Sequence, residues 1–316
     1  MLRLIAGRVV SLAATLLAAS LAIFLIMEVL PGDPASVMLG TSAREDTLAA
    51  LRQKLGLDRP APERYLEWVG GALTGDLGTS VTYGVPVGGL VADRLAITVP
   101  LAVLAILIST AIALPLGIAA AANRDRFVDR AVMVFAQLGI AVPNFWLGLL
   151  LILLFSTSLR WFAAGGFPGW SAAGVGPALK ALLLPAAALG LPQSAVMARV
   201  ARAAVLDVLD EDFVRTARAK GLTRGAALRR HVVPNALIPI VTILGLQFSF
   251  LVAGAVLVEN VFSLPGLGRL AWQALAQRDL VVIKDVVLLF AALVIVVNFA
   301  VDLAYLVLDP RLRRRS

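Results

Sequence analysis

Few residues in this 316-residue chain could perform chemistry, and their spacing assembles no reaction. Cysteine is absent, which excludes disulfides, thiolate chemistry and cysteine metal sites. The single histidine, His231, cannot build a multi-histidine metal site. No Gly-x-x-x-x-Gly-Lys-Ser/Thr segment occurs, so the chain is not expected to hydrolyse nucleotide itself. No Ser/His/Asp arrangement has support either, and no catalytic residue, metal or cofactor is expected. What remains is polarity in unusual places. Residues 199–235 form one strongly basic stretch between two apolar segments. Asn144, Gln247, Asn298 and Asp302 interrupt otherwise apolar runs, and Glu28 closes another. Such residues can dock a partner, hold helices together or line a polar path.

The elements that position them are membrane helices. The chain is 60% apolar with mean hydropathy +0.91. Apolar windows fall at about 9–30, 98–122, 131–156, 178–198, 236–258 and 286–308. Each is near the ~20 residues a helix needs to cross a bilayer. Only a helix satisfies its own backbone there. Pro115, Pro185, Pro192 and Pro239 each remove a donor. The fourth window, with Lys180 and two prolines, is expected to be a broken or protein-buried helix. The first window reads as a retained span, because its apolar core is too long for a signal peptide and Glu28-Val29-Leu30-Pro31 is no small-residue cleavage site.

Charge sets the orientation. A net charge of +8 would suggest nucleic acid in a soluble protein, but here the charges alternate with spans. Segments 1–8, 123–130, 199–235 and 309–316 hold 17 of the 28 basic residues. The positive-inside rule makes that side cytoplasmic, with both termini inside and residues 31–97 outside. The outer segment reads as helical around Thr47–Leu55 and Pro62–Leu73, with glycine-rich turns beyond. Small residues recur every fourth position at Ala113, Gly117, Ala121, at Ala186, Gly190, Ser194, Ala198, and at Gly245, Ser249, Ala253. Such stripes let helices approach closely, within the bundle or at a subunit interface.

Within 199–235, Asp207–Ala219 reads as a short helix. Acids (Asp207, Asp210, Glu211, Asp212) precede bases (Arg215, Arg218, Lys220), which suits the helix dipole. Gly221 is placed to end it in the left-handed cap conformation. A second helical stretch, Arg224–His231, leads to Pro234 and the next span. By charge alone this loop would lie on anionic lipid. Asp302 and Asn298, one turn apart on the last span, read either as structure or as part of a gate. Asn144 and Gln247 read either as interhelical glue or as pathway residues.

The order Arg215-Thr216-Ala217, then Gly221, then Val233-Pro234, resembles the coupling loop of binding-protein-dependent ABC importer permeases. Arg-Thr-Ala stands where much of that family has Glu-Ala-Ala, a variant that looks like the dipeptide, oligopeptide and nickel branch. Leu30-Pro31-Gly32-Asp33-Pro34, Glu259-Asn260-Val261-Phe262-Ser263-Leu264-Pro265-Gly266-Leu267-Gly268 and Leu308-Asp309-Pro310-Arg311 are similar to the same branch. The resemblance implies an all-α, multi-pass permease of the cell inner membrane. Six transmembrane helices would carry a cytoplasmic coupling-helix loop and a long outer loop after the first span. It divides the chain into an N-terminal part, 1–97, and a permease core, 98–316. Phe213, Arg215, Thr216, Ala217, Gly221 and Pro234 would serve the coupling to ATPases. The implied partners are a second, non-identical permease, two ATPase subunits and an extracytoplasmic substrate-binding protein. Peptides or a related small solute such as a nickel chelate would be the cargo. The rival class, a secondary transporter or channel, would need midplane ionisable groups or repeat symmetry, which are poorly represented here.

Overall fold

The computed structural model describes residues 2–29, 34–40, 44–54 and 56–308, and all regular elements among them are helices. The stretch 30–33 and the tail from residue 309, which carry parts of two motifs named above, lie outside the described residues. The helices are α1 (Leu2–Val29), α2 (Pro34–Leu39), α3 (Glu45–Lys54), α4 (Ala61–Thr74) and α5 (Val87–Ala122). Then come α6 (Phe127–Ala141), α7 (Asn144–Leu151, prolonged by a π-helical segment Ile152–Ser158), α8 (Trp170–Ala173) and α9 (Val175–Leu209). The series ends with α10 (Asp212–Ala219), α11 (Arg224–Ala227), a π turn Leu228–Val232, α12 (Val233–Val261), α13 (Leu267–Gln277) and α14 (Leu280–Leu308). Five of these are long and apolar enough to cross a membrane, and α6 with α7 makes a sixth span if the bent pair crosses once.

The break in the bundle is in the third window, not the fourth. Helices α6 and α7 meet at 99°. Pro143 disfavours helical backbone at the residue before it, and Val142 is extended at φ −88°, ψ 119°. The fourth window instead runs unbroken through Pro185 and Pro192 as α9. This helix is the most buried of the spans, packed by α6, α7 and α12, and its neighbours hold it together where the prolines delete hydrogen bonds. Lys180, near its start, lies over the Phe162 ring at 5.4 Å.

The chain forms two compact units. One is built on Val99–Leu264 and the part of α14 from Val297 onward. Here the small-residue stripes do packing work. A Cβ on Gly117 would sit 2.6 Å from the Ala201 Cβ and 2.7 Å from the Ala198 carbonyl, so α5 and α9 touch backbone to backbone. A Cβ on Gly190 would meet the Ala105 carbonyl at 2.6 Å. The core of this unit gathers Ala113, Met197, Ala201, Val205, Val214, Val232 and Ile240.

The other unit comprises Ala6–Thr98 and Pro265–Val296. Its core joins Val87 and Val91 to Leu267, Leu270, Val282 and Val286. Burial of Val87 and Val91 explains why α5 begins well before the expected 98: the helix continues as far as it has apolar partners. Helix α13, unforeseen in the sequence, supplies those partners. Asp279 caps α14, accepting from the Val282 N–H at 3.3 Å, while its other oxygen takes the Ser80 hydroxyl at 2.5 Å and the Thr82 N–H at 3.0 Å.

Candidate functional site

The helix expected over Asp207–Ala219 is shorter than that. Helix α9 continues to Leu209, so Asp207 belongs to it, and Asp210 and Glu211 form the corner before α10. Ala201, Ala204 and Val205 extend the buried face of α9, which keeps the helix going while it has core to cover. Glu211 is then extended (φ −71°, ψ 144°) and the chain turns. Only Asp212 remains as an acid in the first turn of α10, with Arg218 in the last.

One residue fastens α10 to its own unit. Val214 is buried in the core, whereas Phe213 is 44% exposed and Arg215 and Thr216 face outward. Ala217, half-buried, lies at the edge between the two faces. Gly221 ends the helix at φ +95°, in the left-handed region that favours glycine. Its N–H donates to the Arg218 carbonyl at 3.0 Å, and the Leu222 N–H donates to the Ala217 carbonyl at 3.2 Å. These two bonds are a Schellman motif, completed by Leu222 packing on the core.

Both ends of α10 are tied to the short loop after α5. Before it, Asp210 pairs with Arg124 at 3.5 Å. After it, Arg224 Nη2 donates to the Ala122 carbonyl at 3.0 Å, satisfying an end of α5. That loop is anchored in turn. Asp129 is 3% exposed and accepts from Arg202 Nε at 2.5 Å and Nη2 at 2.7 Å, a bidentate pair, and also from the Asp125 N–H at 2.9 Å. In the sequence Arg202 stood out only as one basic residue of 199–235, and Asp129 not at all. The signal was present: Arg202 is the next member of the every-fourth stripe Ala186, Gly190, Ser194, Ala198, hence on the packed face of α9.

Beyond α10, Thr223 caps α11 by accepting the Ala226 N–H at 3.3 Å. The stretch expected as a separate helix over Arg224–His231 instead passes through the π turn directly into α12. Pro234, exposed in the first turn of α12, has no N–H to offer the carbonyl four residues back, which is where the wider turn sits. Asn235 Nδ2 donates to the His231 carbonyl at 2.7 Å.

The polar residues of the spans are not brought together. Asn144 lies against Gly254, and its Oδ1 accepts the Phe145 N–H at 2.9 Å. Gln247 is buried and donates to the Gln193 carbonyl at 3.1 Å, joining α12 to α9. Asn298 packs on Gly245, where a Cβ would approach its Oδ1 to 3.0 Å. Asp302 is half-buried and has a partner within the chain. Each Asn or Gln thus marks a different joint of α12. Glu28 pairs with Arg64 at 2.5 Å. No cluster of three or more His, Asp or Glu side chains suited to a metal occurs among the described residues.

An all-helical, multi-pass membrane protein that presents a capped, tethered polar helix is the class that fold and surface define. Sequence comparison specifies it. Residues 113–314 match the family described as binding-protein-dependent transport system inner membrane component, and residues 1–102 match the N-terminal component of the same systems. The chain belongs to this family. It is 40% identical to a probable peptide ABC transporter permease of Sinorhizobium fredii, over 97% of both chains. It is 39% identical to a putative peptide transport system permease of Brucella abortus and to the glutathione transport system permease GsiC of Salmonella choleraesuis, each over 99% of both chains. Its fold matches the MetNI methionine ABC transporter in an inward-facing state with TM-score 0.55, at 18% identity, over 70% of this chain and 96% of that one. An amino acid ABC transporter matches with TM-score 0.52 at 19% identity, over 69% and 93%. The protein is therefore a permease subunit of an ABC importer in the inner membrane, not itself catalytic, with ATP hydrolysis on separate subunits. The family implies a partner permease, ATPase subunits and a substrate-binding protein.

Proposed function

We propose that this chain forms half of a path for small peptides and that α10 is the knob through which an ATPase subunit, one of two in the assembly, moves it. The observation carrying the reading is the build of α10: a single buried anchor, Val214, an outward face of Phe213, Arg215 and Thr216, and a glycine cap that fixes where it points. Ala217 borders that face, and Pro234 sets the entry into α12. A rigid exposed helix offers a partner groove a preformed surface at small entropic cost. The peptide cargo is supported by relatives whose names specify peptides and glutathione. A non-identical permease would complete the path, beneath an extracytoplasmic binding protein. Nucleotide-driven closure would shift the population between inward- and outward-facing arrangements. Asn144, Gln247, Asn298 and Asp302 would belong to the joints and gate that rearrange as it does so.

Loops 123–130 and 199–235 and both termini face the cytoplasm in this reading, and 31–97 faces outside, following the distribution of Lys and Arg. The match of separate family components to 1–102 and 113–314 supports a division into an N-terminal part, 1–97, and a permease core, 98–316. Co-purification of the ATPases, with peptide-stimulated turnover in the reconstituted assembly, tests the coupling role. Phe213→Ala and Ala217→Trp are expected to keep membrane abundance and lose both. If both variants keep wild-type assembly and coupling, α10 is a lipid-facing segment and the reading fails. Impermeant labelling of a cysteine placed at position 220 tests the topology, since reaction from outside intact cells would invert it.

A further inference from the structure

A cavity of about 420 Å3 opens in the unit formed by Ala6–Thr98 and Pro265–Val296, where the end of α1, helix α4 and the first turn of α14 meet. Its walls combine apolar side chains, among them Phe24, Trp68 and Val281, with charged ones. Lys54 and Asp76 also stand on this lining, and four of the other charges are neutralised in pairs within the chain. Arg64 pairs with Glu28 at 2.5 Å, and Arg59 pairs with Glu67 at 2.6 Å. Lys284 differs. Its ammonium lies 4.6 Å over the Trp68 ring, and no carboxylate comes within ion-pair distance among the described residues. The neighbouring carboxylate, Asp285, is turned to Trp68 and accepts its indole N–H at 2.7 Å. Trp68 is thus fixed from one side by Asp285 and presents its face to Lys284, which holds the cation at the cavity wall. An ammonium carries three donors, and a ring face satisfies none of them as an anion would.

The surroundings select the anion. Lys284 stands in the second turn of α14, and Glu28 ends the apolar run of α1, so the cavity lies at the ends of two helices long and apolar enough to cross a membrane. The most apolar windows of α1 and α14 are only 11% and 17% buried, so these helices turn most of their surface away from the protein core. An occupant must therefore be charged at one end and apolar at the other. We propose that this cavity binds a phospholipid, with its headgroup phosphate on Lys284 and its apolar part along the Phe24 and Val281 walls. Basic groups beside interfacial aromatic residues are the usual chemistry for holding a headgroup.

The test uses the full-length chain, delipidated in detergent and followed by native mass spectrometry. The probes are dioleoyl phosphatidylglycerol, dioleoylglycerol, which lacks the phosphate, and inorganic phosphate. Phosphatidylglycerol is expected to be retained, and Lys284→Gln to weaken retention about tenfold, the scale of one lost charge-assisted hydrogen bond. Lys284→Arg is expected to keep most of it. Equal retention by Lys284→Gln overturns the site. Dioleoylglycerol held as tightly removes the phosphate from the argument, and inorganic phosphate competing at equal concentration makes this a free-anion site and overturns the lipid assignment. Should Lys284→Gln fail to fold, Val281→Trp, which fills the cavity from its apolar wall, is expected to abolish retention. Unchanged binding by that variant overturns the proposal equally.

Discussion

Helix α10 and the cluster around Trp68 and Asp279 both use polar residues at the edge of apolar helices, and they use them in opposite directions. In the cluster the polar atoms turn inward: Asp285 is wholly buried against Trp68, and Asp279 gathers Ser80, Thr82 and the first turn of α14. On α10 the side chains turn outward, with the Asp212–Arg215 pair at 3.4 Å almost fully exposed and worth little. Backbone geometry, not side-chain bonding, shapes that helix. Inward polar groups make a unit specific to itself; outward ones on a rigid backbone leave a surface for another chain.

The largest expected effect lies beneath α10. Asp129→Ala leaves the Arg202 guanidinium without its bidentate partner in a closely packed joint, and a loss of about 3 kcal/mol is expected. It should appear as a lowered unfolding temperature and reduced membrane abundance. Asp129→Leu with Arg202→Met should recover much of the abundance. Failure of the double variant to do so would mean that the pair is needed for more than mutual neutralisation.

Gly221→Val comes next. Nothing lies within 4 Å of a Cβ there, so the cost is backbone strain at φ +95°, about 1–2 kcal/mol, relieved by reorienting the cap. Membrane abundance should survive while ATPase co-purification is lost. Asp279→Ala should cost about as much, because a helix cap and the partner of the buried Ser80 hydroxyl are lost together, and should leave ATPase association unchanged. If Asp279→Ala severed the ATPases as Gly221→Val does, the contrast between the two regions would collapse. The smallest effect on stability, below about 0.5 kcal/mol, is expected for Phe213→Ala, read by thermal unfolding. Its loss of ATPase binding without loss of stability would sharpen the contrast most.

Spans, family and the short helix of the basic loop were legible in the sequence because each depends on local properties. Twenty apolar residues, a basic loop and an ordered set of motif residues need no knowledge of what lies beside them. The glycine cap was equally legible, since positive φ is a local demand and Gly221 meets it. Legibility failed where a neighbour decided. Two prolines suggested a broken or protein-buried fourth span, and only the neighbouring helices decide that α9 is the buried, unbroken one, while the single Pro143, with an extended residue before it, bends the third. Helix α10 began later than its acids suggested, because the buried face of α9 continued to Leu209.

The sequence by itself determined that this chain is helical and lies in the membrane, and its ordered motifs pointed to the family. Only the tertiary structure decided which charges are paired and which are offered. Asp129 meets Arg202 across 73 residues, and Trp68 meets Asp285 across 217, separations at which no local pattern constrains pairing. The physical reason is that a helix reports its own hydrophobic face in its periodicity, whereas the partner of a polar side chain is set by how the helices are stacked.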